Sequence, residues 1–317
     1  MRKLFAVLFA TLLASTAAHA QQVSCATPGN DNAFLNIQTI RLWAGDAPQA
    51  TGKTCDDIPA LTILSPRSGT ANGSAVIILP GGSYRMLAAD LEGREVADWF
   101  TARGFRAFIL SYRLSSHGYI LPVPLLDARR AVQIVRSRAH DYQINPNRIV
   151  MIGFSAGGHL AALAATQPVA GRPDAEDPTD RVSSRPDYLV LGYGWVGAVS
   201  LDTSHLNYCK LYNLMDKCEE LTKAYTPELF VNKDTPPTFI YHTFTDHTVP
   251  VEQAMGFYQA LIKAGVVSEM HVFANGAHGS GLGKSDPALD QWPALLENWL
   301  RPFGLLTVDK DSVSAKP

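Results

Sequence analysis

The sequence predicts an α/β fold, with a mostly parallel central sheet, helices on both faces and a small cap insertion. Three observations predict it. From residue 74 onward, β-type apolar runs alternate with segments of helical period, the pattern of a mostly parallel sheet covered on both sides. The first of these runs is apolar from Ala75 to Leu79, as a strand buried on both faces requires. One long stretch, 195–233, breaks the alternation without strand character and is the expected cap.

Residues 74–79 (SAVIIL) read as a buried strand, 95–102 as a helix and 106–111 (RAFILS) as the next strand. Residues 122–141 have helical spacing, with Leu125, Ala128, Val132 and Val135 on one face. A strand at 148–153 (RIVMIG) leads into an Ala-rich helix at 156–166. Strands follow at 188–192 (YLVLG) and 239–244 (FIYHTF), then a helix at 251–264, a strand at 270–273 and a closing helix at 290–300. Residues 168–186, rich in Pro, Asp and Arg, read as a surface loop. The 195–233 insertion carries two cysteines, tyrosines and short helical pieces, and is expected over the carboxyl ends of the strands. No internal repeat is visible, and the polar tail 309–317 is expected to fray.

The amino terminus has a different character. Arg2 and Lys3 precede an apolar stretch over 4–13, which ends in the small-residue pattern Ala18-His19-Ala20. This is the pattern of a secretory signal peptide cleaved after Ala20, and the apolar run falls short of the roughly 20 residues a membrane span needs. The expected domain is therefore 21–308, exported to the periplasm or medium, with no membrane contact in the mature form. Losing Arg2 and Lys3 leaves 25 basic residues of the original 27 against 29 acidic ones, a net charge of −4, which argues against nucleic acid as a partner. Oligomeric state is not readable from the sequence. Four cysteines in an exported chain point to disulfides. Closeness in sequence favours Cys25–Cys55 and Cys209–Cys218 among the three possible pairings.

Ser155 lies in Gly153-Phe154-Ser155-Ala156-Gly157, a G-x-S-x-G motif between a predicted strand and a predicted helix. The glycines allow the sharp turn to approach its neighbours, and the helix behind the serine favours developing negative charge. A serine hydroxyl needs a histidine to take its proton, and a carboxylate to orient that histidine. With the order serine, acid, histidine required of this strand–turn–helix arrangement, His278 follows the last strand in a flexible loop and is the expected general base. Asp246, after the strand at 239–244, is the expected acid; His247 adjoins it, and His271, within or just before the last strand, is expected to be structural. The oxyanion hole is expected from the N–H of Ala156 and from Gly81 and Gly82, in the loop Pro80-Gly81-Gly82-Ser83-Tyr84. Tyr84 is expected to line the acyl pocket.

Together these motifs resemble the acetyl esterase/lipase group of α/β-hydrolases, especially its acetylxylan esterase-like carbohydrate acetylesterases. The resemblance runs from about residue 40 to 299. It rests on Leu79-Pro80-Gly81-Gly82-Ser83-Tyr84, Glu92-Gly93, Asp127-Ala128-Arg129-Arg130-Ala131, Gly153-Phe154-Ser155-Ala156-Gly157-Gly158-His159, Asp246-His247-Thr248-Val249-Pro250 and Gly276-Ala277-His278-Gly279. It departs at Ser83, where many relatives carry a third glycine. The resemblance implies an α/β-hydrolase fold and a serine esterase without metal or cofactor that removes acetyl groups from small acyl esters such as those of plant-cell-wall sugars.

Other residues have plainer readings. Asp127 and Arg130, three apart on one helix, are expected to form a structural ion pair. His159 is expected to pack or cap one turn beyond Ser155, and Trp195, Tyr208 and Tyr212 to pack in the cap, with stacking on a sugar ring as the alternative. An arylformamidase or a peptidase would use the same triad, and only the pocket separates them. A binding protein on the same fold would have lost a triad member, and all three are present.

Overall fold

The computed structural model describes residues 38–197, 209, 215–284 and 286–309. The predicted signal peptide, Cys25, Tyr208 and Tyr212 lie outside these residues, as does 310–317 of the expected tail.

Among the described residues eight strands form one sheet: β1 (Gln38–Arg41), β2 (Ala60–Leu64), β3 (Ala75–Leu79), β4 (Arg106–Ser111), β5 (Ile149–Phe154), β6 (Tyr188–Gly192), β7 (Thr238–Thr243) and β8 (Ser268–Phe273). Their order is β1-β2-β4-β3-β5-β6-β7-β8. The pairs β1/β2 and β2/β4 are antiparallel and all others parallel. Each strand expected from the sequence is present, with ends shifted by no more than two residues. β1 and β2 precede the first expected strand. β2 is a buried run of only five residues, and β1 is an edge strand with three of its four residues exposed, so neither carries a strong periodic signal.

The helices bounded among the described residues are α1 (Glu95–Thr101), α2 (Val123–Ser137), α3 (Ala156–Thr166), α4 (Cys218–Ala224), α5 (Val251–Lys263) and α6 (Trp292–Leu300). Successive residues of a strand face opposite sides, so Ile77 and Leu79 enter one core while Val76 and Ile78 enter the other. The first core packs beneath α2, α3 and α5 through Leu125, Val132, Leu160, Leu163, Phe257 and Leu261. The second packs beneath α1 and α6 through Val96, Phe100, Trp292, Leu296 and Trp299. Each such side chain contributes about 1.5–3 kcal/mol by leaving water. No helix among the described residues is long and apolar enough to cross a membrane.

The chain runs from β3 to β4 on one side, then returns to place β5 on the other side of β3. That reversal opens a crevice beyond the carboxyl ends of β3 and β5, where α/β sheets bind ligands. Register brings Leu79 opposite Gly153 and Phe154 opposite Gly192. The loop after β3 and the turn after β5 therefore meet in that crevice.

Three expectations are corrected or completed here. Asp127 does not pair with Arg130. Its carboxylate turns inward to the Arg113 guanidinium at 2.6 Å, both side chains fully buried, and also accepts the Arg113 N–H at 2.9 Å. Arg130 points the other way, to Asp180 at 2.9 Å and to Asp177. Burial decides this, since an inward carboxylate needs a partner within the core and not along its own helix. Asp309, expected as the first frayed residue, is anchored: it accepts from Asn145 Nδ2 at 2.7 Å, and its N–H donates to the Asn72 carbonyl at 2.9 Å. Cys209 and Cys218 form the expected disulfide, and Cys55 is disulfide-bonded as well.

The described part of the insertion holds α4 and a short 3-10 turn at Pro227–Phe230, which packs against α3 and α5. It contains no strand.

Candidate active site

The turn after β5 is built around two close approaches. A Cβ on Gly153 would lie 2.2 Å from the Gly157 carbonyl oxygen, and one on Gly157 would lie 2.0 Å from the Leu79 carbonyl oxygen. Only glycine fits either position, so the turn is wedged against the end of β3. Ser155 adopts φ 51° and ψ −120°, a conformation that costs a side-chain-bearing residue about 1–3 kcal/mol. Its N–H is held by the Gly192 carbonyl at 3.0 Å. α3 begins at the next residue, so its unpaired N-terminal N–H groups lie beside the serine.

The register of β7 with β8 sets Thr243 opposite Phe273, so the loops that follow these strands leave the sheet side by side. Two threonines clip the loops together. Thr243 Oγ1 donates to the Gly276 carbonyl at 2.8 Å, and Thr245 Oγ1 accepts the Gly276 N–H at 3.0 Å. Asp246 and His278 emerge from these loops. Asp246 Oδ2 lies 2.7 Å from His278 Nδ1, and His278 Nε2 lies 2.8 Å from Ser155 Oγ. A carboxylate only accepts, so Nδ1 carries the proton and Nε2 is free to accept from the serine. The remaining oxygen of Asp246 accepts the N–H groups of Thr248 at 2.8 Å and Val249 at 2.9 Å. Burial alone would raise the Asp246 carboxyl, but the His278 hydrogen bond and the two backbone N–H groups outweigh it and hold the group below the usual carboxylate range. The acid is fully buried, while the imidazole is 19% exposed.

The loop after β3 departs from the expected arrangement at one position. The Gly81 N–H donates to Glu92 Oε2 at 2.6 Å and is not available to a substrate oxygen. The N–H groups of Gly82 and Ala156 have no partner among the described residues. Ser83 and Tyr84 both lie in the left-handed region, at φ 56° and 58°. Tyr84 is 5% exposed, and its hydroxyl lies 2.8 Å from His159 Nδ1. It supports the loop from the protein side and does not direct its hydroxyl into the cleft. His159 Nε2 lies 2.7 Å from the Tyr225 carbonyl, which can only accept, so Nε2 carries the proton and Tyr84 donates to Nδ1. The ring of Trp195 lies against His159, centroids 5.2 Å apart. His159 is thus packed, as expected, and ties the helix behind Ser155 to the insertion. His271 lies on β8, bonded to Glu269 at 2.6 Å.

Sequence reasoning gave no role to Glu92, Tyr193, Thr243 or Thr245. Glu92 stood within a matched motif, but nothing local shows that its carboxylate reaches a loop eleven residues earlier. Tyr193 directly follows β6, a position at the carboxyl edge of the sheet that marks it as near the site.

The BD-FAE family model matches residues 61–261. An acetylxylan esterase from Xylanibacter ruminicola is 31% identical over 235 residues, 73% of this chain, and this chain spans only 46% of that protein's length. Among solved structures, an acetyl ester-xyloside bifunctional hydrolase from Caldicellulosiruptor lactoaceticus is 35% identical, with a TM-score of 0.75 over 84% of this chain and 97% of its own. The propionate-bound esterase Est2 from Thermogutta terrifontis is 26% identical, with a TM-score of 0.69 over 86% of this chain and 96% of its own. With its family model covering most of the chain from β2 to α5, and with this sheet order and strand–turn–helix at Ser155, the chain belongs to the BD-FAE family of α/β-hydrolases.

Proposed function

We propose that the protein is a serine carboxylesterase that hydrolyses short-chain acyl esters, acetyl above all, of carbohydrates such as xylan. The observation that carries this reading is the hydrogen-bonded chain from Asp246 through His278 to Ser155. The names of the acetylxylan esterase and the acetyl ester-xyloside hydrolase support the substrate class.

In this mechanism Ser155 Oγ attacks the ester carbonyl while His278 Nε2 takes its proton, and Asp246 stabilises the imidazolium that results. The carbonyl oxygen becomes an oxyanion held by the N–H groups of Gly82 and Ala156. As the tetrahedral intermediate collapses, the bond to the sugar oxygen breaks, and His278 returns its proton to that oxygen. The free hydroxyl leaves behind an acetylated Ser155. Water then attacks the acyl-enzyme with His278 as base, the bond to Oγ breaks, and acetate and the serine hydroxyl are released. We also propose export, with cleavage after Ala20, which agrees with the disulfide chemistry.

The test is hydrolysis of 4-nitrophenyl acetate, butyrate and octanoate beside acetylated xylan, with Ser155→Ala as control. Preference for acetate together with acetate release from xylan is the expected result. Activity confined to the nitrophenyl esters would remove the carbohydrate assignment, and activity retained in Ser155→Ala would remove the nucleophile.

A further inference from the structure

Glu92 is a buried carboxylate, 3% exposed, that forms no ion pair with Lys or Arg among the described residues. It sits in the single helical turn Ala89–Arg94 that leads into α1. Its two oxygens serve two different loops. Oε2 accepts the Gly81 N–H at 2.6 Å, and Oε1 accepts the Tyr193 hydroxyl at 2.8 Å. The Tyr193 oxygen in turn accepts the N–H of Gly281 at 2.9 Å, three residues beyond His278. The ring of Tyr193 also meets the His278 ring edge-on, centroids 5.1 Å apart. Tyr193 is itself held in a left-handed backbone conformation, φ 38°, with its N–H on the Tyr241 carbonyl.

Resting on the serine-esterase reading, we infer that Glu92 is a positioning residue for the reaction: it fixes the Gly81 peptide that precedes the oxyanion N–H and, through Tyr193, couples that loop to the segment carrying His278.

The chemistry of the group argues for this role. Two donors converge on Glu92, and both oxygens of a carboxylate can accept. A glutamine has one acceptor oxygen, so its N–H₂ would face either the Gly81 N–H or the Tyr193 hydroxyl and one of these donors would lose its acceptor. An apolar side chain would fill the space without the desolvation cost of a carboxylate, but would take the Glu92 acceptor from both the Gly81 N–H and the Tyr193 hydroxyl proton. Burial pushes the Glu92 carboxyl above the usual carboxylate range, and the hydrogen bonds from Tyr193 and Gly81 offset this only in part. A Cβ on Gly81 would lie 2.7 Å from Glu92 Oε2 and 2.9 Å from the Cβ of Ser155, so any shift of the Glu92–Gly81 contact is felt at the nucleophile.

The experiment compares wild type, Glu92→Gln, Tyr193→Phe and the double variant. It reads kcat and KM for 4-nitrophenyl acetate and the rate at which a fluorophosphonate labels Ser155. Glu92→Gln should lower kcat and the labelling rate together, by about tenfold or more, with KM changed less than about threefold. Tyr193→Phe should lower both in the same direction. The double variant should be no slower than Glu92→Gln within about twofold, because both residues act through one chain of contacts. A folded Glu92→Gln protein with kcat and labelling at the wild-type rate overturns the role of Glu92. If Glu92→Gln does not fold, Tyr193→Phe decides alone, since it keeps the carboxylate and cuts the link; wild-type rates there overturn the coupling. A wild-type protein that neither cleaves the ester nor takes the label overturns the esterase reading, and this inference with it.

Discussion

His278 Nε2 lies 2.8 Å from Ser155 Oγ across 123 residues of chain, and each residue leaves a different strand of the same sheet edge. Contact over that separation depends on the backbone of both loops being held, which makes the site testable at its supports as well as at the serine and the imidazole.

Ser155 carries backbone strain, at φ 51°. Ser155→Gly should abolish ester hydrolysis and stabilise the fold by about 1 kcal/mol, since glycine adopts this conformation freely. Ser155→Ala should abolish hydrolysis with stability within about 0.5 kcal/mol of wild type, because it keeps the strain. Urea denaturation of the three proteins checks both values, and a Ser155→Gly protein less stable than Ser155→Ala would contradict the strain.

Asp246 loses its proton more readily in the folded chain than in the unfolded one. Its contribution to stability is therefore fully present above the unfolded value of about 4, and is lost as pH falls through the lower folded value. The stability difference between wild type and Asp246→Asn should shrink between pH 6 and pH 3, read as urea midpoints. At pH 7 the same variant should lower kcat by about 10⁴, because asparagine supports the wrong imidazole tautomer.

Thr245 holds the acid loop to the base loop through the Gly276 N–H at 3.0 Å. Thr245→Val keeps the shape, removes the acceptor and leaves that N–H unpaired. It should cost about 1–3 kcal/mol of stability and lower kcat more than it changes KM. Steady-state kinetics beside a thermal melt tests this; a variant with unchanged kcat would show that the clip does not position His278.

Tyr84 donates to His159 Nδ1 at 2.8 Å from a buried position. Tyr84→Phe removes the hydroxyl donor to the imidazole and should cost about 1–3 kcal/mol. The ratio of acetate to butyrate hydrolysis should stay within twofold of wild type. A changed ratio at unchanged stability would instead place the ring against the acyl group.

Much of the arrangement was legible in the sequence because the signals are local. The turn at Ser155 is written in five consecutive residues, the buried strands in runs such as SAVIIL, and the acid and base in short loops just after predicted strands. β1 and β2 were missed because four exposed-edge residues and a five-residue buried run give too little pattern to read.

By itself the sequence determined the sheet-and-helix class, the strand–turn–helix at Ser155 and the candidates Asp246 and His278, since backbone preference and hydrophobic period act between near neighbours. Tertiary structure alone decided which polar groups satisfy one another. It turned Asp127 to Arg113 in place of Arg130, took the Gly81 N–H for Glu92, and set Tyr193 between Glu92 and the His278 segment. A buried donor or acceptor bonds to whatever the packed chain brings within about 3 Å, and distance along the sequence does not enter that choice.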